Sequence, residues 1–185
     1  MIIDKLKYLR GNGNGNLYEG HSKEQSLLQQ EFIRIAISRF KPDTIFETGT
    51  NKAYFGAFLH EIGFRGTYVT CDPDVDVSYP SIEVLREVAE FGVEYIPDKS
   101  SSSNYGFRLE LPNGQMMAWI DGDHSYSGAL YDLRLFGRYN MPILIDDYGM
   151  DSVLNAVFDF LNETNYKLDS VSTDNRQIAL LIPKQ

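Results

Sequence analysis

Residues 166–182 read YKLDSVSTDNRQIALLI, two strand-like runs (166–171 and 177–182) separated only by the polar pentapeptide STDNR. A five-residue connection suits an antiparallel hairpin and is too short for the crossover that joins parallel strands. Upstream the rhythm is different. After Pro42, short apolar runs alternate with helical patterns: strands at 44–46, 68–70, 93–96, 116–120 and 142–145, all but the third followed by a segment of helical periodicity. Phe58 and Ile62 mark one helix that stops at Gly63. Pro80 is expected to open a second, closed by Gly92. Ala129, Leu133 and Phe136 share the face of a third, and Val153, Val157, Phe160 and Leu161 mark a fourth. Residues 100–113 are ambiguous, because Phe107, Leu109 and Leu111 alternate like a strand where the rhythm calls for a helix. Alternation followed by a hairpin predicts an α/β fold: a Rossmann-like, doubly wound seven-stranded sheet, parallel except for its last strand, with helices on both faces. The first strand should lie inside it, since its run is apolar on both sides.

The N-terminal third adds a helix and an oddity. Ser22-Lys-Glu-Gln25 is a capping-box pattern, and Leu28, Phe32, Ile35 and Ala36 are expected to form the buried face of the helix that follows. Residues 11–16, GNGNGN, read as a loop of residues that tolerate positive φ. They are no phosphate-binding loop, since no Gly-Lys-Ser/Thr follows. The expected organisation is a flexible segment over 1–21 and one domain over 22–185.

The chain has 185 residues, 43% hydrophobic and 13% aromatic, enough for a core of its own. Its 17 Lys and Arg face 26 Asp and Glu, a formal charge of −9. That balance repels phosphate backbones and anionic lipid, so neither nucleic acid nor membrane is an expected partner. One cysteine, Cys71, leaves no disulfide framework, and with three histidines it cannot build a four-ligand zinc site. No apolar run is long enough to span a bilayer, and MIIDKLKYLR lacks the apolar core of a signal peptide, so a cytoplasmic location is expected. Self-association into a homo-oligomer stays open.

In an open parallel sheet, ligands sit beyond the carboxyl ends of the strands. The chemistry-bearing residues cluster there: Glu47 and Gly49 after strand one, Asp72 after strand two, Asp98 and Ser100 after strand three, Asp121, Asp123 and His124 after strand four, Asp146 and Asp147 after strand five. A glycine turn after strand one brings backbone N–H groups close to a ligand, and a carboxylate after strand two can accept both hydroxyls of a ribose.

The segments IFETGTNKAYF (45–55), YVTCDPD (68–74), AWIDGDHSY (118–126) and ILIDDY (143–148) resemble the class I S-adenosylmethionine (SAM)-dependent methyltransferases, and more narrowly their small-molecule O-methyltransferase branch. The resemblance runs from about residue 22 to the end. Its most specific part is IDGDHSY with an Asp-Asp pair 25 residues after Asp121. The resemblance implies a methyl transfer to the hydroxyl of a small-molecule acceptor. Glu47, Gly49 and the turn at Asn51 would then line the methionine end of the cofactor, Asp72 would hold its ribose, and Asp98, Ser100 and Asp121 would complete the cofactor site. It further implies that Asp121, Asp146 and Asp147 hold a divalent cation such as Mg²⁺. Hard oxygen donors suit such an ion, and the pair can ligate together only if the chain turns at that point. His124, with Asp123 beside it, is the expected proton acceptor.

The sequence departs from the family pattern in three places. Asn51 and Ala53 stand where later turn glycines belong, Phe55 stands where a hydroxyl residue helps hold the cofactor's carboxylate, and Tyr139-Asn140-Met141-Pro142 replaces a Gly-Gly. Three other readings remain at this point: a nicotinamide-dependent reductase on a similar sheet, disfavoured by the hairpin and the lack of GxGxxG; a metal-dependent hydrolase; and a methyltransferase-like binding module without activity.

Overall fold

Strand β1 (Thr44–Thr48) is buried along its whole length, as an inner strand is, with Ile45 and Phe46 apolar on opposite faces. The computed structural model describes residues 23–109, 114–173 and 177–184. Helix α1 (Lys23–Phe40) precedes β1. There follow α2 (Tyr54–Glu61), β2 (Thr67–Cys71), α3 (Val75–Val88), β3 (Gly92–Ile96), α4 (Ser103–Leu109), β4 (Met116–Ile120), α5 (Tyr126–Gly137), β5 (Ile143–Ile145), α6 (Asp151–Glu163), β6 (Tyr166–Val171) and β7 (Ala179–Pro183). The sheet order is β3-β2-β1-β4-β5-β7-β6. All neighbours are parallel except β7, which runs antiparallel to both β5 and β6. This is the doubly wound sheet that the alternation and the closing hairpin predict.

Two cores flank the sheet. On one face Phe46, Val69, Ile120 and Ile145 pack with Tyr105 of α4, Leu133 and Phe136 of α5, and Val153, Val157 and Phe160 of α6. On the other, Ile45, Tyr68, Trp119, Leu144 and Leu180 pack with Ile33, Phe58, Ile82 and Leu85 from α1, α2 and α3. Strand alternation makes the division: Ile45 and Phe46, adjacent in sequence, belong to opposite cores.

Three local expectations are corrected. Pro80 lies inside α3 rather than opening it. The helix begins five residues earlier, where the Asp74 carboxylate accepts from the Val77 N–H (3.3 Å), and the buried row Ser78, Ile82, Leu85 and Val88 holds it against the sheet. The ambiguous stretch after β3 forms a helix. The Ser102 hydroxyl caps it by accepting from the Tyr105 N–H, and Tyr105 is fully buried with its hydroxyl donating to the Glu47 carbonyl (2.7 Å). On α1 the buried stripe is Gln29, Ile33 and Ala36, whereas Leu28 and Ile35 are exposed, so the packed face is rotated from the expected one. The Ser22 cap and the 11–16 tract lie outside the described residues, as does the division at 21. Among the described residues no helix is long and apolar enough to cross a membrane.

Candidate functional site

A cavity of about 960 Å³ opens at the carboxyl edge of the parallel strands, bounded by the loops after β1, β2, β3 and β4 and by the start of α5. Gly49, Asn51, Asp72, Asp98, Ser100, Asp121, Asp123, His124 and Asp146 all line it, so most of the expected site converges on one space.

The β1 turn depends on its glycine. Gly49 has φ +87°, and a Cβ there would lie 2.1 Å from the Asp121 carbonyl oxygen, so only glycine lets this turn close on the β4 loop. The N–H groups of Gly49 and Thr50 donate to the Cys71 carbonyl (3.0 and 3.3 Å). Asn51 and Ala53 take the positive φ that the family's glycines would supply, 44° and 54°. Asn tolerates this; Ala53 adopts it with its methyl fully buried.

Asp72 joins two loops. One carboxylate oxygen accepts from the Asn51 N–H and the other from the Asp74 N–H, both at 2.8 Å. Each oxygen keeps acceptor capacity toward the cavity. Ser100 donates to the buried Asp132 carboxylate (2.5 Å), whose pKa burial pushes up to about 6. Cys71 also lines the cavity, but burial pushes its thiol far up, so it keeps its proton and is no nucleophile.

Glu47 is a correction. Its neighbours Thr48 and Gly49 line the cavity, whereas Glu47 points to the other face of the sheet, where Tyr68 and Thr70 donate to its carboxyl group. Thr70 is hydrogen-bonded in turn to Thr50 of the β1 turn (2.6 Å). Burial pushes Glu47 up to about 8, so near neutral pH it is mostly protonated. It braces the turn from below.

At the β4 end, Asp121 donates its N–H to the Thr48 carbonyl (3.0 Å). Asp123 is engaged in the turn that starts α5: its carboxylate accepts from the Ser125 N–H (2.9 Å), which holds its pKa below the usual carboxylate range. Ser125 then caps α5 through the Gly128 N–H. His124 is fixed from behind by the Ser152 hydroxyl, which donates to its carbonyl (2.7 Å). Its Nε2 lies 3.4 Å from an Asp121 oxygen and 3.8 Å from an Asp147 oxygen. The chain does turn after β5, with Asp147 at φ 53°. Even so, Asp121, Asp146 and Asp147 do not gather as cation ligands. The His124 ring stands between Asp121 and Asp147, and among the described residues no three His, Cys, Asp or Glu side chains are grouped to hold a metal ion. The residues therefore do not fit the expected cation.

Lys52, Tyr54, Lys99, Trp119, Tyr131 and Asp132 also line the cavity and were not anticipated. Trp119 and Asp132 sit in a buried strand and a helix, where sequence pattern assigns them to core and surface respectively.

No family model matches the chain, and no curated protein matches its sequence. Solved structures do match its fold. An O-methyltransferase from Bacillus cereus in complex with S-adenosylhomocysteine (SAH) superimposes with a TM-score of 0.65 at 12% identity, covering 98% of this chain and 91% of that one. The SAH-bound Podospora anserina methyltransferase PaMTH1 gives 0.65 at 12%, covering 100% and 88%. The O-methyltransferase TomG from Streptomyces achromogenes, in complex with SAM, gives 0.65 at 13%, covering 100% and 89%. At these identities the likeness establishes the fold: a Rossmann-like sheet of the class I O-methyltransferase type.

Proposed function

We propose that the protein is a SAM-dependent methyltransferase that methylates a hydroxyl group of a small-molecule acceptor. The observation that carries this reading is the convergence of Gly49, Asp72, Asp98, Ser100 and Asp121 on one cavity, at the edge where this sheet type binds nucleosides. The fold likeness to O-methyltransferases solved with SAM or SAH supports it. In this reading Asp72 accepts from the ribose hydroxyls, the backbone around Gly49 and Asn51 borders the amino-acid portion, and Asp98 with Ser100 flanks the base.

Methyl transfer is an in-line displacement. The sulfonium S–C bond breaks as the O–C bond forms, and the acceptor's proton leaves, giving a methyl ether and SAH. Most of the rate comes from holding oxygen and methyl in line. His124 is the group placed to take the proton at Nε2, with Asp121 and Asp147 near enough to stabilise the imidazolium that results. No step is routed through a cation. The acceptor is expected to be a small molecule and not nucleic acid, given the acidic cavity and chain.

Calorimetry with SAH is the first test, followed by SAH release from SAM with a panel of phenols and sugar alcohols, with and without excess chelator. No SAH binding overturns the reading. Binding without turnover favours the binding-module alternative, and turnover lost on chelation restores the cation.

A further inference from the structure

Glu47 lies directly beneath the cavity. Thr48 and Gly49, the next two residues, line it, whereas Glu47 itself is 1% exposed. Both side-chain partners of Glu47 are hydroxyls, those of Tyr68 and Thr70, and Thr70 links it through Thr50 to the turn that borders the cavity. Burial pushes the Tyr68 phenol far up, so Tyr68 keeps its proton and stays a donor. Among the described residues, no buried side chain that α1, α2 or α3 turns to this face of the sheet is charged. Trp119 of β4 stands beside Glu47 in the sheet and stacks on Phe55 of α2, ring centroids 5.0 Å apart. From α4 the Tyr105 hydroxyl reaches the Glu47 carbonyl. Glu47 is thus a buried acid held by neutral groups.

The charges that reach it come from the cavity, and they are negative. Asp72 and Asp121 line the cavity, and both add to burial in raising the Glu47 carboxyl to about 8. A charge held in this cavity is therefore felt at Glu47. A cation there acts with the opposite sign and favours loss of the Glu47 proton. By linkage, the ionised carboxylate favours the cation to the same degree. A neutral ligand of the same shape receives no such help.

Resting on the reading above, we propose that Glu47 is a specificity-determining residue through which the site tells SAM from SAH by charge, its carboxylate favouring the sulfonium from beneath the β1 turn without touching it. The two ligands share every other charged group, so what separates them is the sulfonium that methyl transfer consumes. Once that charge is gone, nothing in the cavity favours an ionised Glu47. The spent cofactor is then held less tightly than the fresh one.

Calorimetry with SAM and with SAH at a series of pH values tests this. The ratio of SAM affinity to SAH affinity should rise by about fivefold from about pH 6.5 to about pH 8.5. Glu47→Gln keeps an acceptor for Tyr68 and Thr70 but cannot ionise, so its ratio should stay flat. Thr70→Val removes a hydrogen bond that favours the ionised form, so the rise should survive and move to higher pH. A brace without an electrostatic role would change both affinities together and leave their ratio independent of pH. A flat wild-type ratio, or a rise that Glu47→Gln retains, overturns the inference and leaves the methyltransferase reading standing. Wild-type protein that binds neither ligand overturns that reading itself. If Glu47→Gln does not fold, Thr70→Val decides, and a rise it leaves unmoved overturns the inference.

Discussion

The carboxyl ends of β1 and β2 and those of β4 and β5 face the same cavity but are built differently. At β1 and β2 the loops are tied to each other. Asp72 accepts from Asn51 and Asp74, Cys71 accepts from Gly49 and Thr50, and the Thr50–Thr70–Glu47 chain braces the turn from beneath. At β4 and β5 the backbone is tied as closely, but the titratable side chains meet around one imidazole ring. His124 is 3.4 and 3.8 Å from two carboxylates, and its place is set through its backbone by Ser152. In the proposed function the β1 and β2 edge binds the cofactor in every cycle, and a preformed cradle suits that, because little ordering remains for the ligand to impose. A proton acceptor gains from contacts that tighten only when substrate arrives.

The sharpest way to break this contrast is His124→Asn. Turnover should fall by about two to four decades, while SAH affinity, assigned by the proposed function to the other edge, is retained. Parallel measurement of SAH binding and initial rate checks it; full activity would send the proton elsewhere. Next in size is Asp72→Ala, which removes the proposed ribose acceptor and the tie between two loops together. SAH affinity should drop by about one to two decades by calorimetry. Asp72→Asn, which keeps one acceptor oxygen, should fall between, and unchanged affinity would leave Asp72 a turn residue only.

The smallest effect concerns Glu47. Its pKa in the folded chain is about 8, against an ordinary 4.5, so the folded state holds its proton more tightly than the unfolded chain does. The stability this contributes is complete below about 4.5 and is lost as pH rises through about 8. Asp132, raised to about 6, adds to the slope at the acid end of that window. The thermal midpoint should therefore fall as pH rises from 4.5 to 8. Glu47→Gln, which cannot ionise, should flatten the upper part of the curve. A wild-type midpoint that rises with pH there would show Glu47 ionised in the folded chain.

The sequence alone determined the strand order's essential asymmetry and the gathering of the site. Hydrophobic runs alternating with helical periods require parallel strands, and a five-residue connection requires the final hairpin; both are local consequences of chain length and side-chain period. Because every parallel strand ends at the same edge, Asp72, Asp98, Asp121 and Asp146 were bound to meet there. Which way each side chain faces was settled only in three dimensions. Glu47 is one residue from the cavity, yet strand alternation within the packed sheet turns it to Tyr68 and Thr70. Pro80 reads locally as a helix start, but the burial of Ile82, Leu85 and Val88 carries the helix past it. The stacking of Trp119 on Phe55 and the placing of His124 between two carboxylates join residues 64 and 23 positions apart in the chain. No local periodicity encodes such pairs; they exist because the sheet brings strand ends together and close packing leaves each ring one place to go.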